Sequence, residues 1–105
     1  MRKPTKPEKM MMKIIRRNRL PFKYVGDGSF LIGEKPKLKP DFIHRRNRKI
    51  VIEVLGDYWH SEDEFEMKKK LYQEYGYRCI GVWENELKNL DEEEIVERIR
   101  SVIRH

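Results

Sequence analysis

Residues 49–56 read KIVIEVLG, a β-branched run broken by a single carboxylate, and this segment limits the possible folds more than any other. Strands whose apolar residues do not alternate with polar ones are covered on both faces. A chain of 105 residues, 38% hydrophobic and 40% charged, can build one domain with a small core. The segment is therefore predicted to be the middle strand of one sheet, with helices packed on either side. Glu53 stands inside that strand between Ile52 and Val54, where an unpaired carboxylate would be strongly destabilising.

The neighbouring segments supply the other layers. Thr5 and Glu8 fit a capping box with Pro7 early in the helix, which predicts a helix from Thr5 to about Asn18 with Met11, Ile14 and Ile15 inward. Residues 1–6 are expected to be loose. PFKYV (21–25) and SFLIG (29–33), separated by Gly-Asp-Gly, carry a hairpin signal, and the Lys/Pro-rich stretch 33–40 reads as a linker. Asp41–His44 is a short strand, and Arg45-Arg46-Asn47-Arg48 turns the chain into the central strand. Ser61 and Glu64 cap a helix running to Tyr75 and stopped by Gly76. A strand follows at 77–83, with Trp83 expected in the core, and Asp91 with Glu94 caps a last helix carrying Ile95, Val96, Ile99, Val102 and Ile103. The predicted order is αβββαβα, an α/β fold with a mixed sheet between helices.

Charge is distributed unevenly. Residues 1–50 hold 16 Lys or Arg against 4 Asp or Glu, and residues 51–105 hold 8 against 14. A basic half is the electrostatic footprint of a phosphate-backbone binder, although lysine and arginine also simply keep small proteins in solution. No apolar run reaches the roughly 20 residues a membrane helix needs, and no apolar stretch of the signal-peptide kind opens the sequence. A soluble, intracellular, cytoplasmic protein is the expectation. The single Cys79 offers neither an intrachain disulfide nor a Cys-rich zinc site.

Burial of Glu53 demands compensation: a basic partner, a shifted pKa, or a divalent cation shared with another acid. Asp41 is the natural second acid, because it follows Pro40, opens the preceding strand, and is brought close by a tight antiparallel pairing across the RRNR turn. Paired carboxylates with hard oxygen donors favour Mg2+, with Mn2+ as a substitute. An Asp–Arg or Glu–Lys ion pair is the alternative reading. His60, just beyond the Glu53 strand, titrates near neutrality and could take a proton from water. His44 and His105 lack acidic company and are expected to be solvated. Tyr58 and Trp59 could stack on bases or pack beneath the sheet.

Pro40-Asp41-Phe42, Val51-Ile52-Glu53-Val54, Gly56-x-x-Trp59-His60, Gly76-Tyr77-Arg78 and Val82-Trp83-Glu84, in this order, resemble the very-short-patch-repair endonuclease family and its relatives among the PD-(D/E)xK nucleases. The resemblance spans about residues 7–104. It implies a restriction-endonuclease-like αβββαβ core with an extra C-terminal helix, as one nuclease catalytic domain over residues 1–105. It also implies that Asp41 ligates magnesium, that the main-chain carbonyl of Val54 helps to hold it, and that His60 is the general base. Glu8 is similar to an N-terminal glutamate near the active site, and Tyr58 and Trp59 to an intercalating aromatic pair. Glu53 matches the superfamily's acidic position. Leu55 occupies the lysine position, which points to His60 or Lys68 as the replacement. Asp57 and Asn85 stand where zinc-binding cysteines would be, so no structural zinc is expected.

A further acid on the second helix is implied. A projection at 100° per residue places Glu64 on the inward face with Met67, Leu71 and Tyr75; Asp63 and Glu66 are the alternatives. The set also resembles the catalytic domain of phage homing endonucleases of the EDxHD type. The expected function is metal-dependent hydrolysis of phosphodiester bonds in double-stranded DNA, with nicking and double-strand cleavage, monomer and dimer, repair, homing and defence all open. The first helix, Lys37 and Lys39 of the linker, Arg45, Arg46 and Arg48 of the turn, and Lys68 would grip the DNA. Alternatives are a junction resolvase, a non-catalytic nucleic-acid-binding module and a small protein-interaction domain.

Overall fold

A computed structural model of the protein describes residues 3–56, 61–89 and 91–105. Helix α1 (Lys6–Arg17) leads into β1 (Phe22–Tyr24), β2 (Phe42–His44) and β3 (Ile50–Leu55). Then follow α2 (Glu62–Glu74), β4 (Arg78–Trp83), the short α3 (Glu84–Lys88) and α4 (Glu92–Arg104). The strands lie in the order β1-β2-β3-β4; the first two pairings are antiparallel and β3–β4 is parallel, joined through α2. The predicted mixed sheet between helices is what forms, with β3 in its interior.

Strand alternation sorts the apolar side chains into two cores. Phe22, Phe42, Ile50, Ile52, Ile80 and Val82 face α1, α3 and α4, meeting Met11, Ile14, Ile15, Leu87, Ile95 and Ile99. Ile43, Val51 and Cys79, one residue out of phase, face α2 and meet Tyr72 and Tyr77. That is why β3 reads as continuously apolar: each face is covered by a different layer. Helix α2 sits close to β4, because Gly81 presents no side chain where the Phe65 ring rests. Helix α4 is tied to β4 by Arg98, which donates to the carbonyl of Gly81 (2.9 Å) and pairs with Glu86. The Glu86 carboxyl is held below the usual range, chiefly by its hydrogen bond from Arg98.

The N-terminal capping box forms as expected: the Glu8 amide donates to Thr5 Oγ1 (3.3 Å) and the Thr5 amide to Glu8 Oε1 (3.0 Å). Thr5 and Lys6 thereby belong to the capped helix start, not to a loose tail. The Ser61 cap of α2 also forms, and Gly76, at φ 81°, follows its end.

Five expectations are corrected. Residues 29–33 are not a sheet strand. The partner of β1 is β2, with Tyr24 opposite Phe42, and the intervening chain makes only an isolated bridge between Ile32 and Leu38. Phe30, Leu31 and Ile32 form an unbroken apolar run in the sequence, yet Leu31 points to solvent while Ile32 is buried. The stretch 33–40 is consequently no linker, because Ile32 and Leu38 plug the core on the α2 side. Helix α3 was not expected; at five residues it is too short to show a helical period, yet it buries Leu87. His44 is not solvated but 3% exposed, edge-on to Phe22, with its Nδ1 accepting from the Arg46 amide. Trp83 is half-buried, with its ring edge-to-face against Phe65.

If residues 33–40 are part of the core, Leu38→Ala should cost about 2–4 kcal/mol in urea unfolding, the range for truncating a buried leucine. Lys37→Ala and Lys39→Ala, at exposed positions on either side, should each change stability by less than about 0.5 kcal/mol.

Candidate active site

The β2–β3 register assembles the site. Phe42 pairs with Ile52 and Ile43 with Val51, so one step further out Asp41 stands opposite Glu53. Residues directly opposed in an antiparallel pair point to the same side of the sheet. Asp41 is fixed there by its backbone, which donates to the Ile52 carbonyl (3.2 Å) and accepts from the Val25 amide (2.8 Å). Its side chain accepts from the Val54 amide at 2.8 Å. The two acids thus occupy opposed positions on neighbouring strands, and both are buried, at 8% and 3% exposure.

Glu53 is compensated from α2. Lys68 Nζ lies 2.6 Å from Glu53 Oε2, and the Tyr72 hydroxyl donates to the same oxygen at 3.1 Å. Lys68 and Tyr72 are four residues apart, hence on one helix face. The Glu–Lys alternative thus describes Glu53 here, with the cation supplied by a helix. Burial pulls the Lys68 ammonium down, but the charge and hydrogen bond of Glu53 outweigh it, so the amine sits above the usual lysine value and stays protonated. Burial, reinforced by the Glu53 charge, raises both the Tyr72 hydroxyl and the Cys79 thiol. Tyr72 accordingly acts as a hydrogen-bond donor and Cys79 as an inert apolar group.

Glu8 completes a trio of carboxyls. It is 5% exposed, accepts from the Tyr24 hydroxyl (3.0 Å), and also serves the α1 cap. Asp41 is pushed up to about 8, first by burial, then by the Glu53 charge, and further by a side-chain hydrogen bond with Glu8 and its charge; the Val54 amide opposes the shift. Near neutrality the Asp41 carboxyl therefore retains its proton. The start of α1, the start of β2, the interior of β3 and the middle of α2, distant in sequence, thus supply a chain of neighbouring groups that runs from Glu8 through Asp41 and Glu53 to Lys68.

Other expected residues fall elsewhere. The inward face of α2 is Phe65, Lys68 and Tyr72, whereas Glu64 is exposed and Met67 and Tyr75 are 69% and 39% exposed. The projection was rotated by about one position, because the core side is set by contact with β3 and β4 and not by α2's own weak apolar stripe. Asp63 and Glu66 are exposed on the rim of a groove with Phe65, Gly81 and Trp83. Lys37, Lys39, Arg45, Arg46 and Arg48 point to solvent. Asp57, Tyr58, Trp59 and His60 lie outside the described residues. Tyr24 and Tyr72 escaped sequence reasoning; only the spacing of Tyr72 from Lys68 could have hinted at the latter. Among the described residues no three His, Cys, Asp or Glu side chains converge as a ready-made metal cage.

No protein-family model and no curated protein matches the chain. Among solved structures it superposes on the homing endonuclease I-Bth0305I catalytic domain with a TM-score of 0.65 and 21% identity, over 92% of this chain and 96% of that one. The chain therefore shares the fold of that catalytic domain over nearly its whole length.

Two outcomes follow from the electrostatics. Folded Asp41 keeps a proton that the unfolded chain has released, so in metal-free buffer stability should fall as pH rises from about 4 towards about 8. The slope should not exceed about 1.4 kcal/mol per pH unit, and urea unfolding of Asp41→Asn should show it flattened. Lys68→Met strands the Glu53 charge and should cost about 1–3 kcal/mol, below the fully buried range because Lys68 is 35% exposed. Adding Glu53→Gln to Lys68→Met should recover most of that loss.

Proposed function

We propose that the protein is a metal-dependent DNA endonuclease whose reaction centre is the Asp41–Glu53 pair. The observation that carries this reading is two buried carboxyls on adjacent strands, beside Glu8, with one of them raised to about 8 by burial and by the other acids. Such crowding of negative charge is what a divalent cation relieves. The donor set fits magnesium, which is bound through one or two carboxylates and keeps several of its waters. Asp41 and Glu53 would hold it, with the main-chain carbonyl of Val54. Lys68 and Tyr72 both contact Oε2 of Glu53 and would hold that carboxylate in place. When bound, the cation would supply Lewis-acid polarisation of the scissile phosphate and stabilise charge on the leaving 3′ oxygen.

The chain's own residues would do the rest. The Val54 amide and the strand register orient Asp41, and the Tyr24 hydroxyl orients Glu8. Lys68 keeps a permanent positive charge at the site, suited to the phosphate's growing negative charge. His60, assigned from its place in the sequence, would accept the proton of the attacking water. Likeness to a homing endonuclease catalytic domain supports a nuclease over other uses of an α/β fold. No helix among the described residues is long and apolar enough to cross a membrane.

The Glu53–Lys68 ion pair favours a second reading, a DNA-binding module whose acids are purely structural. Supercoiled plasmid separates the two. With Mg2+ or Mn2+ the wild type should nick or linearise it, and Asp41→Asn should lower the rate by about 100-fold or more. The same cation should raise the melting temperature of the wild type and not of Asp41→Asn. Metal-independent melting with no cleavage in any metal would establish the module instead.

A further inference from the structure

Between the C-terminal half of α1 and strand β1 runs a groove of about 460 Å³. Its floor is apolar, with Phe22 and Phe42 each 1% exposed. Its walls carry Arg16, Arg19, Lys23 and Arg45, and no carboxylate lines it. All four cations are exposed, and none forms an ion pair with another described residue. Arg17, one residue from Arg16 but facing α4, is by contrast neutralised by Glu92 at 2.5 Å, and the Arg17 guanidinium is raised chiefly by that hydrogen bond. Surface cations left unmatched along one concavity attract a polyanion. The groove does not end blindly: Tyr24 lines it and donates its hydroxyl to Glu8.

We infer that this groove is the track on which the DNA backbone approaches the carboxyl cluster, with Arg16, Arg19, Lys23 and Arg45 contacting successive phosphates. The inference gives the substrate a path in the nuclease reading and rests on that reading. The edge strand β1 and the left-handed turn at Arg19 (φ 52°) set the two walls, so the cations are placed by the backbone and not by salt bridges that DNA would have to break.

The test uses the full chain and a fluorescein-labelled mixed-sequence duplex, with binding followed by anisotropy over a series of NaCl concentrations. Arg16→Gln with Lys23→Gln removes two groove charges and touches none of the site carboxyls. Its plot of log affinity against log salt should be shallower than wild type by about 2, since each phosphate contact contributes about 0.9 to the slope. Lys70→Gln with Lys88→Gln makes the same change in net charge on other surfaces and should leave the slope near wild type. Equal slopes for the two double variants overturn the groove. A wild type that cleaves while the two doubles show equal slopes removes the groove and leaves the nuclease. A wild type that never cleaves while only the groove variant loses slope removes the nuclease and leaves the track.

Discussion

Everything at the site depends on how Glu53 is tolerated in an interior strand. A carboxylate at that depth has to be matched by positive charge or hydrogen-bond donors, and Lys68 and Tyr72 supply both from one face of α2. The match does more than neutralise. It fixes the rotation of α2 about its axis, a choice that the helix's weak apolar pattern leaves open, and so decides which of its side chains face the sheet. A well-packed apolar residue at position 53 could stabilise the strand as well or better. Retaining an acid there is therefore more readily explained by chemistry at the sheet surface than by folding.

Asp41 extends the same logic. Its backbone is bound on both sides by β-type hydrogen bonds, which leaves the carboxyl little choice of direction. With Glu53 opposite and Glu8 alongside, ionising it means adding charge to a buried acidic cluster, and the proton is retained into the neutral range. Under the proposed reading, a divalent cation would relieve the same repulsion that the proton relieves here. Glu8 illustrates how economically a small domain uses its acids: one side chain caps α1, accepts from Tyr24 and faces Asp41.

The uneven charge of the chain acquires a spatial meaning in the fold. Acids of the second half neutralise some of the basic residues, as Glu92 does Arg17, and these contacts hold α4 to the end of α1. Cations on the opposite side of α1 and along β1 have no such counterpart among the described residues and remain available to solvent or to a polyanion. Likeness to a homing endonuclease catalytic domain at 21% identity extends over both regions, so the two halves form one architecture and not a core with an appended basic arm.

Apart from the short α3, the order of helices and sheet strands was legible because local signals specify it: a capping box at Thr5, the Ser61 cap, a glycine after α2, and the β-branched run of β3 all act within a few residues. The pairing of Asp41 with Glu53 was legible too, since a connection of only five residues leaves few registers for the strands it joins. The role of residues 29–40 was not, because a Lys- and Pro-rich composition says nothing about two isolated apolar side chains, Ile32 and Leu38, that find a core only once the sheet exists. Nor could the sequence decide among Glu64, Asp63 and Glu66, or reveal Tyr24 and Tyr72. Which face of a helix turns inward, and which donor reaches a buried acid, depends on packing between segments far apart in the chain. Local periodicity and turn chemistry set the strands and helices; the burial of Glu53 and its capture by Lys68 were settled only when α2 docked on the sheet, because that contact joins residues with no short-range relation to one another.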